Sequence, residues 1–300
     1  MEVLRRKNTE KTGHLATWAN PDAFLPTRFF TFVPLNPLYP ALEYCRYRVR
    51  ASNEHGLHSP FVYELYNSVI RDETPYYVFG LIESIRARMI LSDEVIDVRD
   101  FGTGGGRTGS KRRLGVSAIA RRFVQSRRHG QLLFRLVNRF RPGKVLELGT
   151  SLGITTLYLA APSGNTEVWT LEGCPEIARI AQENFDSVQA PNIHPVVGEF
   201  STTLPDVLRQ MGTVDFAFLD GNHRYEATLA YLRQLLPFTH EHSVLVFDDI
   251  HWSSEMRSAW EVIRQDPAVT ISIDLYQFGI VFFRQGQARQ HFTLQYSSDP

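Results

Sequence analysis

Three short stretches carry most of the side chains that could do chemistry. "FAFLDGNHRYE" presents Asp220 and, three residues on, His223. "VLVFDDIHW" presents Asp248 and Asp249, followed by His251 and Trp252. "KVLELGTSLGITTLYLA", from Lys144 to Ala160, sets Glu147 just ahead of a turn from Gly149 to Gly153. Three neighbouring carboxylates repel one another unless a cation, a proton or a basic group offsets them. An all-oxygen donor set suits Mg2+ or Ca2+. A histidine imidazole can take a hydroxyl proton near neutrality. A glycine turn between a strand and a helix suits a nucleotide.

A second glycine-rich stretch, "VRDFGTGGGRTGS" from Val98 to Ser110, competes for the nucleotide. A nucleoside site of this type needs an acid at the end of the next strand, about 20 residues on, to accept from the ribose hydroxyls. The later loop has one: Glu172 closes "EVWTLE" 23 residues after Gly149. The earlier loop has none, because no Asp or Glu lies between Asp100 and Glu147. It is also too rich in glycine to open a helix directly. The later loop is therefore the nucleoside site, and residues 102–110 are a linker or a cover over an acceptor.

The elements that must position these groups follow from periodicity. "SPFVYELYNSVI" starts a helix with Ser59 as N-cap and Pro60 at the first helical position. "YYVFGLIESIRARMIL", "GVSAIARRFV" and "QLLFRLVNRF" read as further helices, and "EVIDVRD" as a short strand or a lead into the glycine loop. From Lys144 onward short apolar runs alternate with amphipathic helices, which predicts a parallel sheet covered on both faces. The last two strands, "VTISIDL" and "IVFFRQ", are separated by "YQFG" and must form an antiparallel hairpin. The expected organisation is a poorly ordered extension over 1–40, a helical cap with the glycine loop and a basic segment over 41–135, the nucleoside-binding domain over 136–290, and a tail over 291–300.

"ELGTSLG" lacks the three-glycine spacing of dinucleotide folds and resembles the first motif of class I S-adenosylmethionine-dependent methyltransferases. The resemblance covers about residues 136–287. It implies a doubly wound, Rossmann-like α/β fold with a seven-stranded, mostly parallel sheet ending in an antiparallel β-hairpin. Glu147, Gly149, Thr150, Ser151 and Gly153 would line the methionine end of S-adenosylmethionine, and Glu172 with Gly173 the ribose. "VVGEFSTTLPDVL" resembles the third-strand motif, which puts Gly198, Glu199, Phe200 and Ser201 beside the adenine; the Phe200 ring could stack on the purine or wall it off. The aspartates resemble those of the catechol-type, metal-dependent O-methyltransferases. On that pattern Asp220 and Asp248 bind Mg2+, Asp249 stands where relatives carry Asn, and His223 stands where they carry a catalytic Lys. Asp220 and His223 are then the catalytic pair, with Asp220 also touching the cofactor. His251 and Trp252 would wall the pocket, and Cys174 would be a small apolar filler near the ribose.

Composition sets the outer bounds. The 300 residues are 43% hydrophobic and 21% charged, with no net charge and two cysteines, Cys45 and Cys174. That is a globular balance without a disulfide framework, as expected of a reducing cytoplasm. No run of about 18 apolar residues is present, and the first residues lack the apolar stretch of a secretory signal. Residues 101–146 hold twelve Lys and Arg and no acid. Such a segment suits an anionic substrate or surface, or is a solvated face paired with acids of the sheet domain. Few aromatics interleave it, which argues against nucleic acid. The expected acceptor is a small molecule with a hydroxyl, an anionic one being suited to the basic segment, and the helical cap is a candidate homodimer surface. The competing readings are a metal-independent methyltransferase of a lipid or glycan precursor, and a non-catalytic S-adenosylmethionine-binding protein.

Overall fold

A computed structural model describes residues 38–99 and 111–296. The extension read over 1–40 falls outside them as far as residue 37, and so does the glycine loop of 102–110. The chain opens with helices α1 (Leu38–Arg50), α2 (Pro60–Leu65) and α3 (Tyr77–Ile90), with a π turn over Tyr66–Ile70 following α2. Strands β1 (Val95–Arg99) and β2 (Lys111–Gly115) pair antiparallel as a separate two-stranded ribbon. Helices α4 (Val116–Arg122) and α5 (Arg127–Phe140) lead into the alternating part: β3 (Lys144–Leu148), α6 (Ile154–Ala160), β4 (Glu167–Glu172), α7 (Pro175–Ser187), β5 (Ile193–Val197), α8 (Phe200–Met211), β6 (Phe216–Leu219), α9 (Tyr225–Leu235), β7 (Val244–Phe247) and α10 (Ser254–Ile263). It closes with β8 (Ile271–Asp274), β9 (Gly279–Phe282) and β10 (Gln290–Thr293).

Ser59 caps α2 as expected, its Oγ accepting from the Val62 amide. Ser126 does the same for α5 by accepting from the His129 amide, so that helix starts four residues before its apolar run. The cap satisfies an amide that would otherwise be orphaned in the first turn.

The main sheet has the order β10-β8-β9-β7-β6-β3-β4-β5. Five strands, β3 to β7, run parallel, and β9 is antiparallel to both β7 and β8. Burial explains the order. "VLVF", "FAFL" and "GIVF" are buried at every position, as central strands covered on both faces must be. β5 alternates in burial and carries Pro195, which lacks a ladder donor and so suits the sheet edge where β5 lies.

The sheet has eight strands rather than the expected seven. The eighth, β10, lies partly within the stretch read as a tail and pairs parallel with β8. "QHFT" is too short and polar to show as an apolar run. It is held by the cap: the Tyr47 hydroxyl donates to the Leu294 carbonyl at 2.5 Å and that of Tyr66 to the Gln295 carbonyl at 3.0 Å.

Each face of the sheet has its own core. Val145, Phe216 and Phe218 pack with α5, α6 and the N-terminal helices, and Leu146, Leu148 and Ala217 with α8, α9 and α10. Three arginines of the basic segment pair with acids of the N-terminal part. Arg128, Arg135 and Arg139 reach Glu73, Asp72 and Glu64 at 3.5, 3.2 and 2.7 Å, the first two acids between α2 and α3 and the third in α2. Among the described residues no helix is long and apolar enough to cross a membrane.

Candidate functional site

Strands β4 and β5 are laid down to one side of β3, and β6 and β7 to the other. Ligands of doubly wound sheets bind at such a reversal, outside the carboxyl ends of the strands. Four loops begin there in register. The amides of Gly149, Asp220, Asp248 and Gly198 donate to the carbonyls of Leu171, Leu148, Leu219 and Glu172, at the ends of β4, β3, β6 and β4, at 3.0, 2.9, 3.0 and 2.9 Å. The acids that end the strands are thereby fixed along one edge.

The first loop is built on close approach. Gly149 has φ of +104°, and a Cβ there would lie 2.5 Å from the Asp220 carbonyl oxygen, so only glycine lets β3 and β6 come together at their ends. Ser151, Asn222, Asp249 and Tyr276 also hold positive φ, a concentration of backbone strain around one mouth.

Strand alternation puts Glu147 on the same face as Val145, beneath α6. It is fully buried, and its Oε2 accepts from Thr156 at 2.5 Å and Thr170 at 2.6 Å. Thr150 extends this chain through Thr170 at 2.5 Å. The other oxygen, Oε1, is buried without a partner. Burial pushes the carboxyl up to about 8, against hydrogen bonds from Thr156 and Thr170 that pull it down. The folded chain therefore keeps a proton that the unfolded chain gives up, and stability falls as pH rises from about 4.5 to about 8 and then levels. Glu147→Gln mimics the protonated acid. Its thermal midpoint is expected to fall less than that of the wild type between pH 5 and 8, a gap on the order of a few kcal/mol at most. Parallel curves would contradict this.

Glu172, at the end of β4, accepts from the amides of Ser151 at 3.0 Å and Cys174 at 2.9 Å. Burial raises its carboxyl and these amides oppose the rise. A carboxylate offers about four lone-pair sites, so acceptor capacity is left for a diol. Cys174 is buried beside it. Phe200 opens α8 with Gly198 and Glu199 just before it, and its ring lies over Gly221, where a Cβ would be 2.4 Å from Cε2. These positions follow the ends of β3, β4 and β5.

The second half of the site lies at the ends of β6 and β7. Asp220, Asp248 and Asp249 converge, joined by two residues that the motifs did not single out. The Gln125 amide, just before α5, donates to Asp220 Oδ2 at 3.0 Å and to Asp248 Oδ2. The Gln277 amide, in the β8–β9 turn, donates to Asp248 Oδ1 at 2.8 Å and to Asp249 Oδ1. Burial, then the charges of Asp248 and Asp249, hold Asp220 well above the ordinary carboxylate range. His223 Nε2 stands 3.5 Å from Asp220 Oδ1 and 3.8 Å from Asp249 Oδ2.

The Mg2+ expected at Asp220, Asp248 and Asp249 is not shown by the arrangement of these side chains. The carboxylates come together, yet among the described residues no group of three or more His, Cys, Asp or Glu is placed to hold a metal ion. Amide N–H groups stand between the oxygens that an ion would bridge, and as arranged the donor set does not fit one. His251 is also placed differently from a pocket wall. It bonds Asp274 at 2.8 Å, stacks on Tyr276, and faces Glu43 of α1 at 3.7 Å, tying the cap to the sheet.

A family model described as "Methyltransferase domain" matches residues 146–250. Over 131 residues the chain is 30% identical to catechol O-methyltransferase of Mycobacterium tuberculosis, a match spanning 43% of this chain and 58% of that relative. Two solved structures share the fold. One is an SAH-bound methyltransferase of Podospora anserina, with TM-score 0.52, 13% identity, and coverage of 86% of this chain and 100% of that one. The other is an O-methyltransferase of Streptomyces achromogenes involved in tomaymycin synthesis, in complex with SAM, with TM-score 0.50, 16% identity, and coverage of 74% and 95%. The family match spans Glu147, the Gly149–Gly153 turn, Glu172, Phe200, His223 and all three aspartates. Over residues 146–250 the chain is thus similar to methyltransferase domains.

Proposed function

We propose that this chain is an S-adenosylmethionine-dependent O-methyltransferase acting on a hydroxyl of a small molecule. The observation that carries the reading is the pairing of Glu147, whose buried Oε1 lacks a partner, with Glu172 across the tight turn at the sheet's reversal point. A cationic ammonium group suits the first acid and a ribose diol the second. When bound, S-adenosylmethionine supplies a methyl on a sulfonium, whose C–S bond breaks as the acceptor oxygen attacks, the electron pair passing to sulfur.

The protein's part is positioning and proton transfer. Phe200 and Gly221 shape the adenine side of the groove. His223 takes the acceptor's hydroxyl proton at Nε2. Asp249, 3.8 Å from that nitrogen, offsets the charge it gains. No step is routed through a metal, since the aspartates are already bridged by Gln125 and Gln277. The 30% identity to a catechol O-methyltransferase supports an oxygen acceptor over a lipid or glycan precursor.

The test is transfer of a radiolabelled methyl from S-adenosylmethionine to a panel of phenols, catechols and aliphatic alcohols. Labelled ether products are expected with at least one class. A protein that binds S-adenosylmethionine and labels none of them would instead be a non-catalytic binder.

A further inference from the structure

We propose that Gln125 and Gln277 are positioning residues that take the places a divalent cation would bridge, so that amide hydrogen bonds hold Asp220, Asp248 and Asp249 together in a centre that takes no ion. The inference rests on reading this cluster as the acceptor end of the proposed methyl-transfer site.

The geometry is specific. Gln125 Nε2 donates to one oxygen each of Asp220 and Asp248. Gln277 Nε2 donates to the other oxygen of Asp248 and to one of Asp249. Each amide NH2 has two hydrogens, enough for the two carboxylates it faces. Both oxygens of Asp248 are thereby engaged, and Asp248 is buried. A divalent cation asks for lone pairs, and these nitrogens present hydrogens. Gln125 is itself buried, 3% exposed, and comes from the loop between α4 and α5, whereas Gln277 comes from the closing hairpin. Two loops about 150 residues apart thus converge on the centre with the same group.

The test is a titration of Mn2+, read by its electron paramagnetic resonance signal, into the full chain and its Gln125→Glu and Gln277→Glu variants. Calorimetry with S-adenosylmethionine is run on the same samples. The wild type is expected to leave Mn2+ free up to about 1 mM. Each Glu variant replaces donors with acceptors between the aspartates and is expected to bind Mn2+ at least about tenfold more tightly than the wild type. Should the added charge prevent folding without metal, Gln125→Ala opens the same place without charge, and Mn2+ should raise its thermal midpoint and not that of the wild type. One tightly bound Mn2+ per wild-type chain would overturn the inference, as would variants that gain no affinity. Failure of the wild type to bind S-adenosylmethionine would overturn the proposed function instead, and the Mn2+ titration would still decide the glutamines.

Discussion

Gly149→Ala is expected to lose cofactor binding and much of the fold's stability together. The new Cβ would meet the Asp220 carbonyl oxygen at 2.5 Å in a backbone whose φ is +104°. The unfavourable backbone costs about 1–2 kcal/mol. Forced separation of packed groups adds about 1–3 kcal/mol. Together they correspond to a fall in thermal midpoint of roughly 5–15 °C. Because β3 and β6 must part, both halves of the site move, and a shift of about 1 Å is enough to cost roughly 10²-fold. Thermal denaturation and calorimetry check both effects. Gly164→Ala, where nothing lies within 4 Å of the added carbon, is the control and should change neither.

His223→Ala is expected to lower turnover by roughly 10²–10⁴-fold, the usual contribution of a positioned acid or base. Affinity for the methyl donor should stay within about threefold, since the residue faces the aspartates and not the nucleoside groove. Its side chain sits in a loop, so stability should change by no more than about 1 kcal/mol. Comparing initial rates with calorimetric affinity separates the two effects. A variant with wild-type turnover would remove His223 from the reaction.

The sequence and the structure meet most closely where burial alone decides. β6, β7 and β9 are apolar throughout because both their faces are covered, and that texture is visible in "FAFL", "VLVF" and "GIVF". The turn from Gly149 to Gly153 and Glu172 lie beside each other as their spacing implied, because both follow neighbouring strands of one parallel sheet. The acceptor half was legible only in part. Spacing placed Asp220, Asp248 and Asp249 at neighbouring strand ends but said nothing of what stands between them. Gln125 and Gln277 come from distant parts of the chain, and glutamine is an ordinary surface residue that no motif singles out. Strand β10 was hidden because its ladder is made by backbone groups and its anchor by the hydroxyls of Tyr47 and Tyr66 on the cap. Arginines of the basic segment pair with acids of α2 and of the stretch before α3, which net charge could not reveal.

The central claim is that the turn from Gly149 to Gly153, with Glu172 beside it, holds S-adenosylmethionine. Calorimetric titration of that compound into the wild type and Glu172→Ala tests it most directly. The wild type should bind one equivalent. The variant leaves the ribose hydroxyls without their acceptor and should bind more weakly by about 1–3 kcal/mol, roughly 5–150-fold. Equal affinity in the two proteins, or a nicotinamide dinucleotide binding in place of S-adenosylmethionine, would contradict it.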